Sequence, residues 1–356
     1  MQRVLVDELG EHVGERLMVM GWVHRQRRLS HVTFLIMRDR SGLGQVVITD
    51  AAQADEVTGL TPESVLAVSG EIVKSAQAPG GAELHDPKID VLAAPDEAPP
   101  LELWRPTLKA QLPRLLDLAP VALRHPRQRA VFQVAAASVA GFRAALDELG
   151  FTEIQTPKIV PLATESGANV FALDYFGRPA YLAQSPQFYK QTMVGVFERV
   201  YETGPVFRAE PHDTPRHLSE YVSLDAELGF ITDHSDVMRV ARVALSGMLD
   251  MIEARAAAAV SALEIALPSL HPEIPAVHFA DAQQLITADT GEHLEGEPDL
   301  APAHERWLGE WALREHNSEF VFVTGYPMAK RPFYTHPIPA SPPSQIASIC
   351  CSAESS

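Results

Sequence analysis

Cysteine is nearly absent from this 356-residue chain, with only the adjacent pair Cys350 and Cys351. Such a pair supplies neither a disulfide framework nor a thiolate zinc site, so metal ligands are expected to be oxygen donors. Positive charge is also scarce. Lys and Arg number 29 against 46 Asp and Glu, a formal net charge of -17. That balance argues against indiscriminate nucleic-acid binding, but not against a localised basic strip, because a local field can oppose the global one. No apolar run reaches the roughly 18 residues of a membrane span. Met1–Gly10 carries acids where a signal or transit peptide would be basic or apolar. The expected location is therefore the cytoplasm, with no membrane partner. Neither G-x-x-x-x-G-K-[ST] nor G-x-G-x-x-G occurs, so phosphate would have to be held by side chains.

What is present is an ordinary globular balance, 46% hydrophobic and 21% charged, in a length that suits two domains. Residues 1–95 read as short strands: Val4–Val6, Arg16–His24, Thr33–Arg38, Gly44–Thr49, Ser64–Val73 and Ile89–Leu92. Ala51–Gly59 is the helix candidate among them. Five or six strands and a helix in about a hundred residues fit a small closed barrel of the OB type, which commonly binds oligonucleotides on one face. The basic strip HRQRRLSH, His24–His31, lies inside it. Proline-rich APDEAPPLELWRPTLKAQLP continues neither sheet nor helix and reads as a linker, assigned to residues 96–120. Residues 121–338 mix strands and helices without βαβ repetition, which predicts an α+β domain on an antiparallel sheet. Its expected elements are a helix over Arg127–Leu149 ended by Gly150, an extended Phe151–Val160, a helix opened by Ser185 and Pro186, and a long helix from Ser235 to about Leu263. Residues 339–356 form a tail without periodicity.

The chemistry gathers in VFRAEPHDTPRHLSEYVSLDAELGF, Val206–Phe230. Period two places Arg208, Glu210, Ser223, Asp225 and Glu227 on one face, with Val222, Leu224, Ala226, Leu228 and Phe230 on the other. Alternation alone says no more than two half-buried strands. The link Pro211–Glu220 is too long for a tight hairpin turn, however, and brings His212, Arg216 and His217 within reach of the polar face. That arrangement suits an anionic ligand with a cationic end. Arg208 is the natural phosphate ligand, since a guanidinium is always charged and grips oxyanions with two prongs.

GFTEIQTPKI, TESGANVF, YLAQSPQFYKQ and VFRAEPHDTPRHLSEYVSLDAELGFI, in this order, resemble the class II aminoacyl-tRNA synthetases of the aspartyl type, archaeal-type subgroup. GWVHRQRRLSHVTFLIMRDRSGLGQVV resembles their anticodon-binding barrel. The resemblance implies activation of L-aspartate by ATP with Mg²⁺, followed by transfer to tRNA(Asp). By match of motif, Arg208 stabilises charge on the α-phosphate, Glu210 contacts the adenine, and Arg216 and His217 hold the outer phosphates. Glu165, Gln187 and Asp225 surround the substrate's α-ammonium with Ser185 nearby in the aspartate site, and Lys190 pairs with its side-chain carboxylate. Asparaginyl enzymes usually carry a glutamate at the position of Asp225 and lack the lysine. In the barrel, Phe34 stacks on an anticodon base, and Arg27, Gln45 and Glu83 read base edges. His24 and Pro79 stand where strict enzymes carry a tryptophan and a lysine, which implies that tRNA(Asn) is charged as well. The first class motif, around Pro157, implies a homodimer.

The resemblance is followed to about residue 338. The family's Mg²⁺-holding acids and third-motif arginine find no match in this chain. The expectation is a C-terminally incomplete synthetase that ligates poorly. The alternatives are an asparaginyl-tRNA synthetase and a tRNA-binding fragment without catalysis.

Overall fold

The structure is a computed structural model that describes residues 2–162, 170–211, 218–331, 335–336 and 349–352. Two compact units divide the chain at residues 132 and 133.

In the first unit, β1 (Arg16–Arg28), β2 (Thr33–Arg38), β3 (Leu43–Ile48), β4 (Val65–Lys74) and β5 (Ala82–Ala93) close a barrel in the order β1-β2-β3-β5-β4, with α1 (Ala51–Thr58) between β3 and β4. The alternation of the strands sends Val19, Val23, Leu35, Met37, Val46, Ile48, Leu66 and Val68 inward, where they pack as one cluster. The reverse parity on β1, β2 and β3 therefore forms an outer face. A register shift between Val23 and Arg25 marks a bulge at His24. Val4–Val6 is not a strand. Val4 donates one backbone hydrogen bond to Met18 O (2.9 Å), and its side chain and that of Val6 serve as core instead.

The proline-rich segment is packed onto the barrel rather than extended. Leu103 is buried, and the Trp104 ring contacts the guanidiniums of Arg25 (4.3 Å) and Arg105 (4.9 Å). Two short helices follow, α2 (Leu112–Asp117) and α3 (Ala119–Ala122), and then α4 (Pro126–Glu148). By length and composition α4 could cross a bilayer, although the sequence reading found no such run. Its Phe142 and Leu146 instead pack in the core of the second unit.

That second unit is built on short sheets. In the first, β11 (Glu220–Leu228), β10 (Arg199–Phe207) and β6 (Thr152–Glu153) lie in that order, β10–β11 antiparallel and β10–β6 parallel. Phe142 and Leu146 of α4, Ala244 of α6 (His234–Leu263), and Tyr201, Leu224, Ala226 and Leu228 of the sheet share one cluster. α5 (Gln187–Phe197) also packs against β10 and β11. A second sheet contains β7 (Ile159–Val160), β9 (Arg178–Leu182) and β8 (Ala172–Tyr175). A third runs β12 (Ala276–His278), β13 (Phe320–Thr324), β14 (Ile349–Ser352), with α7 (Phe279–Thr290) and α8 (Pro302–His316) against it. The aperiodic tail thus supplies a strand, antiparallel to β13. Gly325 is required by geometry, because its φ is 75° and a Cβ there would strike the His278 ring.

Helix starts differ from the sequence reading by one or two residues. Asp233, not Ser235, caps α6, accepting from Ser235 N (2.8 Å) while Asp236 returns the contact to Asp233 N. Pro186 occupies the cap position of α5, and the Ser185 hydroxyl accepts from Gln187 N (3.2 Å).

Candidate active site and nucleic-acid face

Direct cross-strand partners share a sheet face, so the β10–β11 register fixes who meets whom. Glu202 opposes Asp225, Gly204 opposes Ser223, and Val200 opposes Glu227. From α5, Lys190 Nζ comes to 2.9 Å of Asp225 Oδ1 and 3.5 Å of Glu227 Oε2, and Gln187 Nε2 donates to Glu227 Oε2 at 3.2 Å. Ser223 Oγ donates to Asp225 Oδ2. Three residues separate Gln187 from Lys190, which puts both on one helical face. Lys190 is only 4% exposed, so these acids stand in for the water that its ammonium loses on burial.

Beside this pair lies one that sequence reasoning missed. Glu202, 1% exposed, accepts from Lys158 Nζ (2.9 Å), Thr156 N (2.9 Å) and Thr156 Oγ1 (2.7 Å). The available signal was parity, since Glu202 falls on the same period-two face as Asp225. Gly204 leaves room for the pair, for its Cβ would sit 3.3 Å from Glu202 Oε1 and 3.4 Å from Lys158 Nζ.

Arg208 lies just beyond β10, its N–H donating to Ser219 O (3.0 Å) as the last rung of the ladder. Its Nε is buried without a hydrogen-bond partner, and its guanidinium stands 5.8 Å from the Tyr221 ring. An unpartnered buried donor of this kind fits an oxyanion. Glu210 does not continue the strand parity, because Glu210 N turns back to Arg208 O at 2.8 Å. Two of the inward-facing expectations also fail. Val222, opposite Pro205, is 60% exposed, and Phe230, past the end of β11 at a φ of 56°, is 91% exposed. Glu165, His212, Arg216 and His217 lie outside the described residues.

The barrel gathers the other candidates. Arg27 pairs in register with Phe34, and Gln45 pairs with Ile36 on one side and Glu83 on the other. Gln45 Nε2 donates to Glu83 Oε2 (2.7 Å), and the His85 ring is 3.0 Å from Glu83 Oε1. Arg27, Phe34, Gln45 and Glu83 therefore share the outer face. Pro79 begins a short 3-10 turn ahead of β5. His24 is different, being 7% exposed at the bulge with Nδ1 unpartnered. Burial, with Arg38 nearby, lowers its pKa to about 4 and keeps the ring neutral at pH 7. Among the described residues, no group of three or more His, Cys, Asp or Glu is placed to hold a metal.

These features match known proteins. The family model for tRNA synthetases class II (D, K and N) matches residues 115–348, and that for the OB-fold nucleic acid binding domain of the anticodon type matches residues 18–92. The aspartate--tRNA(Asp/Asn) ligase of Thermus thermophilus is 44% identical over 338 residues, covering 94% of this chain and 78% of its own length. That of Deinococcus radiodurans is 44% identical over 340 residues, covering 95% and 76%. Among solved structures, asparaginyl-tRNA synthetase from Pyrococcus horikoshii complexed with asparaginyl-adenylate superimposes with a TM-score of 0.90 at 30% identity, covering 99% of this chain and 81% of that one. An OB barrel followed by an α+β catalytic unit, with relatives at these identities across most of both lengths, places the chain in one family: it belongs to the class II tRNA synthetases of the D, K and N group.

Proposed function

We propose that this chain is an aspartate–tRNA ligase that forms aspartyl-adenylate from L-aspartate and ATP and passes the aspartyl group to tRNA(Asp) and also to tRNA(Asn). The observation that carries the reading is Lys190, a buried cation paired to Asp225 and Glu227. Aspartate presents the complement of that pair. Its carboxylate takes over Lys190 while its ammonium takes over Asp225, so charges exchange partners rather than losing them. An asparagine side chain would replace neither acid, leaving Lys190 with Glu227, 3.5 Å away, as its remaining counter-charge.

Glu165 and Gln187 complete the set around the α-ammonium in this reading, with Ser185 nearby. Arg208, with its unpartnered Nε, faces the α-phosphate, where charge grows during attack by the substrate carboxylate. Glu210 reads the adenine, and Arg216 and His217 hold the outer phosphates. Class II synthetases use ATP and Mg²⁺, but the described residues present no metal cluster, so no step is assigned to a metal here.

Residues 1–95 bind the anticodon through Phe34, Arg27, Gln45 and Glu83, with His24 and Pro79 setting tRNA range. Residues 96–120 act as the hinge and 121–338 as the catalytic domain. The protein works in the cytoplasm as a homodimer through the segment at Pro157, where Ile159 and Leu162 are 53% and 73% exposed. Aspartate-dependent exchange of pyrophosphate into ATP, followed by charging of both tRNAs, tests the reading. Equal exchange with asparagine overturns the amino-acid assignment, and absence of aspartyl-tRNA(Asn) overturns the wider tRNA range.

A further inference from the structure

A cavity of about 370 Å³ opens on the barrel unit where the end of β2 meets the middle of β1, beside the chain that follows α3. Arg38, Arg40, Arg124 and Arg129 line it with Trp22 and Leu123. Four guanidiniums around one cavity call for anions, yet the carboxylates at hand do not match them. Glu63 is shared, accepting from Arg38 at 2.7 and 2.9 Å and from Arg124 at 2.8 Å. Asp39, the acid in the cavity lining, is occupied by the amides of Val6, Ser41 and Gly42 and by the Ser41 hydroxyl. Among the described residues, Arg129 donates to the carbonyls of Asp39 (3.1 Å) and Arg40 (2.6 Å) rather than to a carboxylate. Its pKa is lowered by burial and then by Arg38, with the Asp39 charge offsetting only part of the shift. The Arg40 side chain is exposed, with no partner among the described residues. In a chain of net charge -17 this concentration of positive charge is local and specific.

Parity shows where the cavity leads. Phe34, Ile36 and Arg38 alternate with the buried Leu35 and Met37 on β2, so all three face outward. Trp22, 39% exposed, pairs in register with Arg38, and the Arg38 guanidinium lies 5.5 Å from its ring. The cavity is thus the far end of the strip that begins at Arg27 and Phe34, roughly 13 Å along two strands. An OB barrel commonly tracks about 4 or more nucleotides, which covers that distance.

We infer that this cavity receives a backbone phosphate of the same RNA whose unstacked bases meet Phe34, with Arg40 and Arg124 as its direct ligands and Trp22 as its apolar wall. The inference rests on the tRNA-ligase reading, and it assigns the cavity to affinity rather than to sequence choice, since phosphate contacts position without specifying.

The test is fluorescence anisotropy of the full chain with a labelled tRNA(Asp) transcript across a salt series. Arg40→Gln is expected to weaken binding 3- to 10-fold and to reduce the slope of log K against log salt by about one, the signature of a lost phosphate contact. Arg40→Lys should retain the slope, and Phe34→Ala should weaken binding with the slope unchanged. Wild-type affinity and slope in Arg40→Gln overturn the inference while leaving the ligase reading intact. A wild-type chain that binds no tRNA overturns both. Inorganic phosphate that raises the melting temperature of the wild type but not of Arg40→Gln, with tRNA slopes equal in the two, reassigns the cavity to free phosphate and also overturns the inference.

Discussion

Lys190 Nζ lies 2.9 Å from Asp225 Oδ1, joining the first turn of α5 to the middle of β11 across 35 residues of sequence. Lys190 therefore has acid partners before substrate enters, Asp225 at 2.9 Å and Glu227 at 3.5 Å. The same contact fixes the helix against the sheet, so one lysine serves both packing and recognition.

Lys190→Met should abolish most aspartate-dependent pyrophosphate exchange. Removing one partner of a desolvated ion pair costs about 3–5 kcal/mol, on the order of 10² to 10⁴ in rate or affinity. The comparison of aspartate with asparagine is decisive. A variant that keeps a strong preference for aspartate would mean that another group reads the carboxylate.

Glu202→Ala is expected to destabilise the second unit by about 3 kcal/mol or more, because Lys158 and the Thr156 N–H lose a buried acceptor. Glu202→Leu combined with Lys158→Met should recover part of that loss, since both charges then leave together. Urea titration of the two variants checks it. Equal instability in both would indicate that packing, not charge, is what Glu202 supplies.

His24 should make the barrel unit sensitive to acid. Its pKa is depressed to about 4 in the folded state against 6.5 for the ordinary group, so the unfolded chain takes up the proton first. The stabilisation is complete above pH 6.5 and is lost as pH falls toward 4, at most about 3 kcal/mol over that window. Glu63 works in the same direction at lower pH. Burial raises its pKa, but the hydrogen bonds from Arg38 and Arg124 outweigh burial and hold the carboxyl below its ordinary value. Its contribution is present above the ordinary carboxylate range and fades as pH drops through that lowered value. His24→Leu should flatten the stability profile between pH 6.5 and 4. An unchanged profile would place the pH dependence elsewhere.

Gly141→Ala sets helix propensity against packing. Alanine gains about 1 kcal/mol in a helix interior, but a Cβ at Gly141 runs into the backbone carbonyl of Gly247 where α4 crosses α6. Neither backbone can yield without parting the helices, so a net loss of about 1–3 kcal/mol is expected. Thermal melting measures it, and a stabilised variant would show that the crossing has slack.

Some of the site was legible from neighbouring residues alone. Ser223, Asp225 and Glu227 could be placed on one face because strand period is local, and Gln187 and Lys190 on one helical face for the same reason. Glu202 escaped because a single acid in an apolar strand gives no hint of its partner. His24 sat in a basic strip that reads as exposed, but the bulge at that position turns its ring inward. The linker composition predicts neither strand nor helix, yet α2 forms at Leu112–Asp117 within it, and composition is silent about Trp104, whose ring meets the guanidiniums of Arg25 and Arg105.

The sequence by itself determined the five strands that close the barrel, the long amphipathic helices, the polar parity of Ser223, Asp225 and Glu227 and the family motifs, because each follows from backbone geometry and spacing within a few residues. Tertiary structure alone decided that Lys190 meets Asp225, that Lys158 meets Glu202 across 44 residues, and that four arginines converge on one cavity. Those meetings depend on strand register and on how distant elements pack. Local periodicity states which way a side chain points, but only the assembled sheet and helices state what it points at.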